Sequence, residues 1–487
     1  MKEYFPTIGL EIHAELKTKT KMFCSSKNDP DEALPNINIC PVCLAHPGTL
    51  PVINREAVRH VLRVGLALHA ELADYTEFDR KNYFYPDLPK GYQLSQFEYP
   101  LVSGGELNGV KITRVHLEED TASSIHEEGI GTTIDYNRAG VPLMELVTEP
   151  VIGSAKQAGD FARELQLLLR YLGVSNANME KGEMRVEANI SISKDGTLGT
   201  KVEVKNLNSF RAMERAVAYE IKRQEALLLK GEKVVQETRG WHEGKQETFA
   251  QRIKEGSADY RYFPDPDLPS LKLSELEGYT ALTLKKTLPE LPWERRERYL
   301  KLGVRAEDAD SFVRDPQLGS FFEEVIRGKS EDSKYVQLAS NYIANDLVAI
   351  ISSFAKAKKD RRDTEKRDTE NNAEIPISAR NFNKILEMLI QKKISSRAAK
   401  DILSIAVRED RDPEEIADTS KLLQGGSPSD FEALVRSTLA ANPSVVADYK
   451  FGKLSALEYL IGQSMKASKS AADPSLIRAI TLQLLKE

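Results

Sequence analysis

Between Thr7 and Leu16 the chain alternates without a break: Ile8, Leu10, Ile12, Ala14 and Leu16 fall on even positions, and Glu11, His13 and Glu15 on odd ones. Successive strand side chains point to opposite faces, so this pattern predicts a strand with one face on a core and one polar face. The same period of two recurs at Val115–Leu117 and Arg185–Ile192, and Pro142–Glu149 is a further strand candidate. Asp195-Gly196 then stands in a turn before a return strand at Lys201–Lys205, which completes a hairpin. Apolar residues spaced every three or four positions predict helices near Asn54–Leu72 and Ala155–Leu172. From about Pro292 onward only helix signals remain. Ser378–Leu389 and Ser395–Val407 have helical spacing, and a break at Gly425-Gly426-Ser427-Pro428 precedes three short helices. These begin near Ser429, near Gly452 and at Pro474, where Asp473 would supply the cap. The charged run Lys356–Glu374 has no apolar period and reads as a solvated linker or loop. The expected fold class is α+β: a mixed domain over 1–291, an all-α helical domain over 292–409 and a small α-helical tail over 410–487.

A chain of 487 residues is too long for one ordinary domain. With 41% hydrophobic and 29% charged residues it can bury substantial cores, which excludes a wholly disordered protein. The formal net charge is -6, so any nucleic-acid contact must come from a local patch. One candidate patch is the end of the chain, where Lys450, Lys453, Lys466, Lys469, Arg478 and Lys486 face only Glu458 and Asp473. That excess is either a solvated helical face or a nucleic-acid contact. The start has no secretory pattern, and no stretch of about 20 apolar residues occurs. The cysteines are three and scattered, so a reducing compartment, the cytoplasm, is expected, with no membrane partner.

The polar faces carry the candidate chemistry. Glu11, His13 and Glu15 share one face, and two carboxylates around an imidazole can chelate a divalent ion. His116 and Glu118 share another polar face, from which Glu119 points away. Glu145 stands among apolar neighbours, where an unpaired carboxylate is costly to bury. Glu11, His13, Glu118 and Glu145 together suit Mg2+ or Mn2+; the alternative is an ordinary solvated or salt-bridged sheet face. On the predicted hairpin, Arg185, Glu187, Asn189 and Ser191 line one strand and Lys201, Glu203 and Lys205 its partner. Such a surface could hold a metal-bound phosphate, or could simply form cross-strand ion pairs. Cys40-Pro41-Val42-Cys43 has zinc-knuckle spacing and Cys24 could be a third thiolate, but closed zinc sites take four ligands. Ser25 and Ser26 are poor substitutes and His46 a conceivable one, so three free thiols are the preferred reading. The aromatic stretches Lys81–Asp87 and Asp259–Asp267 are either rigid turns or substrate walls. No GxxxxGK[ST], GxSxG or GxGxxG string occurs.

Taken together, several long strings resemble one family, the B subunit of the glutamine-dependent aspartyl-tRNA(Asn)/glutamyl-tRNA(Gln) amidotransferase. They are Gly9-Leu10-Glu11-Ile12-His13, Cys40-Pro41-Val42-Cys43, Lys81 to Gln96, His116-Leu117-Glu118-Glu119-Asp120, Asn137 to Leu143, Glu183 to Asn189, Glu203 to Ser209, and the tail from Asp448 to Lys466. The resemblance implies a cradle-shaped α/β domain followed by a helical domain and a tRNA-binding tail. It implies assembly with an amidase-type A subunit and a small C subunit, and ATP- and Mg2+-dependent phosphorylation of the side-chain carboxylate of mischarged Asp-tRNA or Glu-tRNA. Ammonia tunnelled from the A subunit would then displace the phosphate. Carried over by position, the family's metal ligands fall on Glu11, His13, Glu118 and Glu145, with Glu119 as a substitute for Glu118. Arg185, Glu187, Lys205 and Asn206 become candidates for nucleotide or acyl-phosphate contacts, and Lys450, Lys453, Lys466 and Lys469 for tRNA. Zinc-bearing members have a fourth cysteine where Ser26 stands here, which puts zinc at Cys24, Cys40 and Cys43 in doubt. Two other readings stay open: a non-catalytic scaffold that presents tRNA, and a stand-alone ATP-dependent ligase. Both the Asp-tRNA and the Glu-tRNA substrate suit the chemistry, and the tunnel path and oligomeric state are not legible.

Overall fold

The computed structural model describes residues 4–127, 129, 131–253, 260–359, 375–423, 428–468 and 474–486. The chain divides into two compact units, Met1–Pro292 and Trp293–Glu487. The first is mixed α/β and the second helical.

The first unit is built on a ten-stranded sheet whose centre is the strand Phe5–Glu15. It pairs antiparallel with Pro142–Thr148 on one side and with Met184–Ser193 on the other. Val110–Glu119 lies beyond the first of these and Val202–Leu207 beyond the second. Even-numbered residues of the central strand, from Ile8 to Ala14, are fully or almost fully buried, together with Val115, Leu117, Met144, Leu146, Val186, Ala188 and Ile190. Helices Ala155–Tyr171 and Phe210–Leu229 pack on each other, and the second also packs on Met184–Ser193. Ser154 and Ser209 cap their N-termini by accepting from Gln157 N and Ala212 N. The opposite face of the sheet, which carries the odd-numbered residues of the central strand, is left to polar chemistry.

Three local expectations are corrected. The first predicted helix stops at Ala67 rather than Leu72, because His69 turns into the left-handed region at φ 54° and Glu71–Leu72 joins the sheet edge. The helices Phe210–Leu229 and Pro443–Lys450 have no counterpart among the predicted elements. The charged run begins inside helix Val348–Lys359, and its remainder lies outside the described residues, as do Asp259, Gly425 to Ser427, Lys469 and Asp473.

In the second unit, helices Ala379–Ile390, Ser396–Glu409 and Pro413–Thr419 pack together. Further along, Pro428–Ala441, Leu454–Ala467 and Pro474–Lys486 enclose a small core of Phe431, Val435, Leu457, Leu460, Ile461, Ile477, Leu484 and Leu485. Among the described residues no helix is long and apolar enough to cross a membrane.

Candidate active site

Strand register decides what the polar face presents. His13 lies opposite Glu145 on one neighbour and Arg185 on the other, and Glu145 lies opposite His116. One row thus reads Arg185, His13, Glu145, His116 across four strands. One step along, Glu11 lies opposite Glu187. The Glu145 carboxylate sits between two imidazoles, 3.4 Å from His13 Nε2 and 3.5 Å from His116 Nε2. His13 Nε2 is also 3.9 Å from Glu11, and His116 Nε2 is 3.1 Å from Glu118.

The four residues predicted to ligate a metal therefore share one face, arranged as two overlapping triads. Glu11, His13 and Glu145 form the first, and His116, Glu118 and Glu145 the second; within each, the potential ligand atoms lie within 4.8 Å of one another. The carboxylates suit Mg2+ or Mn2+, with an imidazole ligand accepted more readily by Mn2+. His116 was absent from the predicted set, although its place two residues before Glu118 on one strand face was the signal for it. Its Nδ1 is buried with no hydrogen-bond partner among the described residues. Glu119 is not a substitute for Glu118. It points away, and its carboxylate is taken by Lys90 Nζ at 2.6 Å and the Leu94 amide at 3.0 Å.

Electrostatics follow from burial and crowding. Burial pushes the Glu11 carboxyl up, reinforced by Glu145 and Glu187. Burial alone would lower His13, but its hydrogen bond to Glu145 and the surrounding carboxylates raise it to about 9. Glu145 is held well below the ordinary range: the two imidazoles outweigh its desolvation. Glu15, on the same face, rises to about 8 because it is buried and close to Asp120.

The predicted nucleotide contacts flank this cluster. Lys205 Nζ lies 2.8 Å from Glu187 and 3.4 Å from Glu203, while Arg185 pairs with Asp120 at 2.9 Å. Beside Lys205 the ladder carries a bulge: the register slips between Val186 and Ala188, and Asn206 takes a left-handed φ of 61°. The bulge sets Lys205 and Asn206 together opposite Glu187, a device that re-aims side chains beside functional sites. Lys81 approaches from the strand Asp79–Asn82; despite its burial, Glu118 above all keeps its ammonium strongly charged.

The thiols form a separate group. Cys24, Cys40 and Cys43 have sulfurs within 4.8 Å, with Cys40 and Cys43 3.8 Å apart. Among the described residues no fourth sulfur or imidazole joins them. Ser26 Oγ lies 3.8 Å from Cys43, and the fully buried Lys21 places its ammonium 3.9 Å from the same sulfur. A hydrogen bond from Cys24 and the Lys21 charge lower the Cys43 thiol, although burial opposes both. The donor set does not fit a closed four-ligand zinc site.

In the second unit, Lys450, Lys453 and Lys466 are exposed. Lys453 pairs with Asp448 at 3.1 Å and Arg478 with Glu458 at 2.7 Å, which thins the basic patch; Lys469 lies outside the described residues.

The sequence matches the GatB/GatE catalytic domain family over residues 6–277 and the GatB domain family over residues 320–485. It is 42% identical over 490 residues to the B subunit of the aspartyl/glutamyl-tRNA(Asn/Gln) amidotransferase of Thermus thermophilus, covering 99% of each chain. The corresponding protein of Thermomicrobium roseum is 41% identical over 499 residues, covering 100% of this chain and 99% of the relative. That of Crocosphaera subtropica is 38% identical over 506 residues, covering 99% and 98%.

Proposed function

The chain belongs to the family of B subunits of aspartyl/glutamyl-tRNA(Asn/Gln) amidotransferases, and from that premise we propose that its carboxylate–imidazole face activates the side-chain carboxylate of tRNA-bound Asp or Glu. The observation that carries this reading is the in-register row of Arg185, His13, Glu145 and His116, with Glu11 and the Glu187–Lys205 pair one step along.

The chemistry asks for such a face. Ammonia does not displace oxide from a carboxylate, whereas an acyl phosphate offers phosphate as a leaving group. In the proposed sequence a carboxylate oxygen takes the terminal phosphoryl group of ATP and ADP departs; ammonia then attacks the acyl carbon and phosphate leaves. Glu11, His13, Glu145 and Glu118 would hold Mg2+, which when bound neutralises charge during phosphoryl transfer. Arg185, Glu187, Lys205 and Asn206 would contact the nucleotide or the acyl phosphate, with the two cations offsetting phosphate charge. An amidase-type A subunit would supply ammonia through a tunnel, with a small C subunit completing the complex. The tail helices, as a third module, would hold the tRNA body through Lys450, Lys453, Lys466 and Lys469.

The scaffold reading predicts that the cluster is dispensable. To separate the two, the chain is assembled with its A and C partners and amide formation is measured on aspartyl-tRNA(Asn) and glutamyl-tRNA(Gln), with ATP and Mg2+. Glutamine and free ammonia serve in turn as nitrogen donor. Glu11→Ala is expected to lower amidation at least a hundredfold with both donors, because the loss precedes nitrogen entry. Unchanged amidation would return the chain to a scaffold.

A further inference from the structure

Beside the carboxylate cluster stands a ladder of aromatic rings to which the chemistry above gives no role. Tyr83 contacts Tyr85 at 5.9 Å between ring centroids and Tyr260 at 6.0 Å, both edge to face. Tyr260 contacts Tyr262 at 6.0 Å, and Tyr262 stacks on Phe97 at 4.3 Å with the planes 12° apart. The rings come from two distant stretches that one small sheet joins, formed by Asp79–Asn82, Tyr92–Ser95 and Phe263–Pro264. Asn82 ties them together: its backbone amide and Nδ2 donate to Tyr260 O at 2.9 and 3.2 Å, and Nδ2 also donates to Arg261 O at 2.8 Å. The ladder is therefore held in place before anything binds.

At its inner end the ladder is continuous with the cluster. Tyr83 Oη donates to Gln93 Oε1 at 3.3 Å, and Gln93 Nε2 donates to Glu118 at 2.5 Å. Lys81 lies over the Tyr260 ring at 5.2 Å. Its two ends open to solvent, with Tyr85 58% and Phe97 55% exposed, while Tyr83, Tyr260 and Tyr262 between them are half-buried. Pre-arranged rings with open ends and a cation alongside are what unpaired nucleobases stack on.

We propose that Tyr83, Tyr260, Tyr262 and Phe97 form the stacking wall for the unpaired 3′-terminal nucleotides of the aminoacyl-tRNA, with Lys81 meeting the backbone phosphate. This rests on the function proposed above and deepens it. The amino acid is esterified to the terminal ribose, so only a handful of covalent bonds separate a carboxylate at the cluster from the terminal base. That base must therefore lie close by, and the ladder is the aromatic surface connected to the cluster by hydrogen bonds. Purines and pyrimidines both offer a π face, so the wall accepts the end without reading its sequence.

The test uses the full chain assembled with its partner subunits and an aspartylated tRNA carrying 2-aminopurine in place of the 3′-terminal adenine, without ATP. Stacking on the wall quenches the fluorophore. Wild type and Tyr262→Phe are expected to quench it, while Tyr262→Leu and Phe97→Leu lose the quench and raise KM for aminoacyl-tRNA roughly tenfold, with a smaller change in kcat. A wild-type complex that amidates without quenching, or leucine variants that still quench, would overturn the wall. So would competition of the quench by ATP, which would assign the rings to the nucleotide's adenine. Leucine variants that shed the partner subunits would overturn it in favour of a protein interface. The quench needs no turnover, so it is independent of the Glu11→Ala result on which the proposed function stands.

Discussion

His116 is the residue whose role the structure sharpens most. Its Nε2 faces two carboxylates while its buried Nδ1 has no hydrogen-bond partner among the described residues. An imidazole that ligates a metal through one nitrogen nearly always donates the other N–H to a partner. His116 lacks that partner, so the Nε2–H form, donating to Glu118 at 3.1 Å with Glu145 3.5 Å away, leaves only an acceptor unsatisfied and fits better. His116 is then a positioning residue that aims two carboxylates at the ion. His116→Leu should weaken Mn2+ binding, followed by electron paramagnetic resonance, about 10- to 100-fold, with His116→Gln recovering part of the loss. Equal Mn2+ affinity in wild type and the leucine variant would show that it positions nothing. At this scale much was legible: strict alternation placed Glu11, His13 and Glu15 on one face before any strand was paired. What alternation cannot give is the partner across the sheet, so two overlapping triads, not one set of four, emerged only from register.

Elements were legible where an apolar stripe was continuous and illegible where small or polar residues did the packing. Helix Phe210–Leu229 buries Ala212, Met213, Ala216 and Val217, but also Glu220 and Gln224. Glu220, fully buried, accepts from Arg223 at 2.7 Å and from Thr248 at 3.0 Å, so part of the buried face is a polar network that hides the helical period. The parallel pairing of Val202–Leu207 with Glu237–His242 likewise spans a whole helix and leaves no local signal. In the second unit, helices Pro292–Lys301 and Pro316–Val325 are joined through Glu323, which accepts from Arg295 at 2.9 Å, Arg298 at 2.7 Å and Tyr299 at 2.7 Å. Although burial opposes it, the Arg298 bond, the Tyr299 bond and the two guanidinium charges hold Glu323 below the ordinary carboxylate value of 4.5. A depressed folded pKa contributes stability above the unfolded value and loses it as pH falls through the folded one. Glu323→Gln should therefore cost on the order of 1 kcal/mol at neutral pH, given partial solvent screening. The gap to wild type should narrow below about pH 4.5. Urea unfolding from pH 7 to pH 3 measures this, and a gap independent of pH would exclude the linkage.

Across the whole molecule, the passage from strands and turns to helices near Pro292 was readable because the two halves repeat different periods. The family was readable because long strings survive intact. The division of chemistry between this chain and its partners is the central claim: the carboxylate is activated here, on the face shared by Glu11, His13 and Glu145, before nitrogen arrives. The most direct test labels the side-chain carboxylate of aspartyl-tRNA with 18O and follows the label through one turnover of the assembled complex with ATP, Mg2+ and free ammonia. Activation as an acyl phosphate moves one labelled oxygen into inorganic phosphate for each amide formed, and Glu11→Ala abolishes that transfer together with the amide. Amide formation that leaves phosphate unlabelled, or label transfer that survives in Glu11→Ala, would contradict the account.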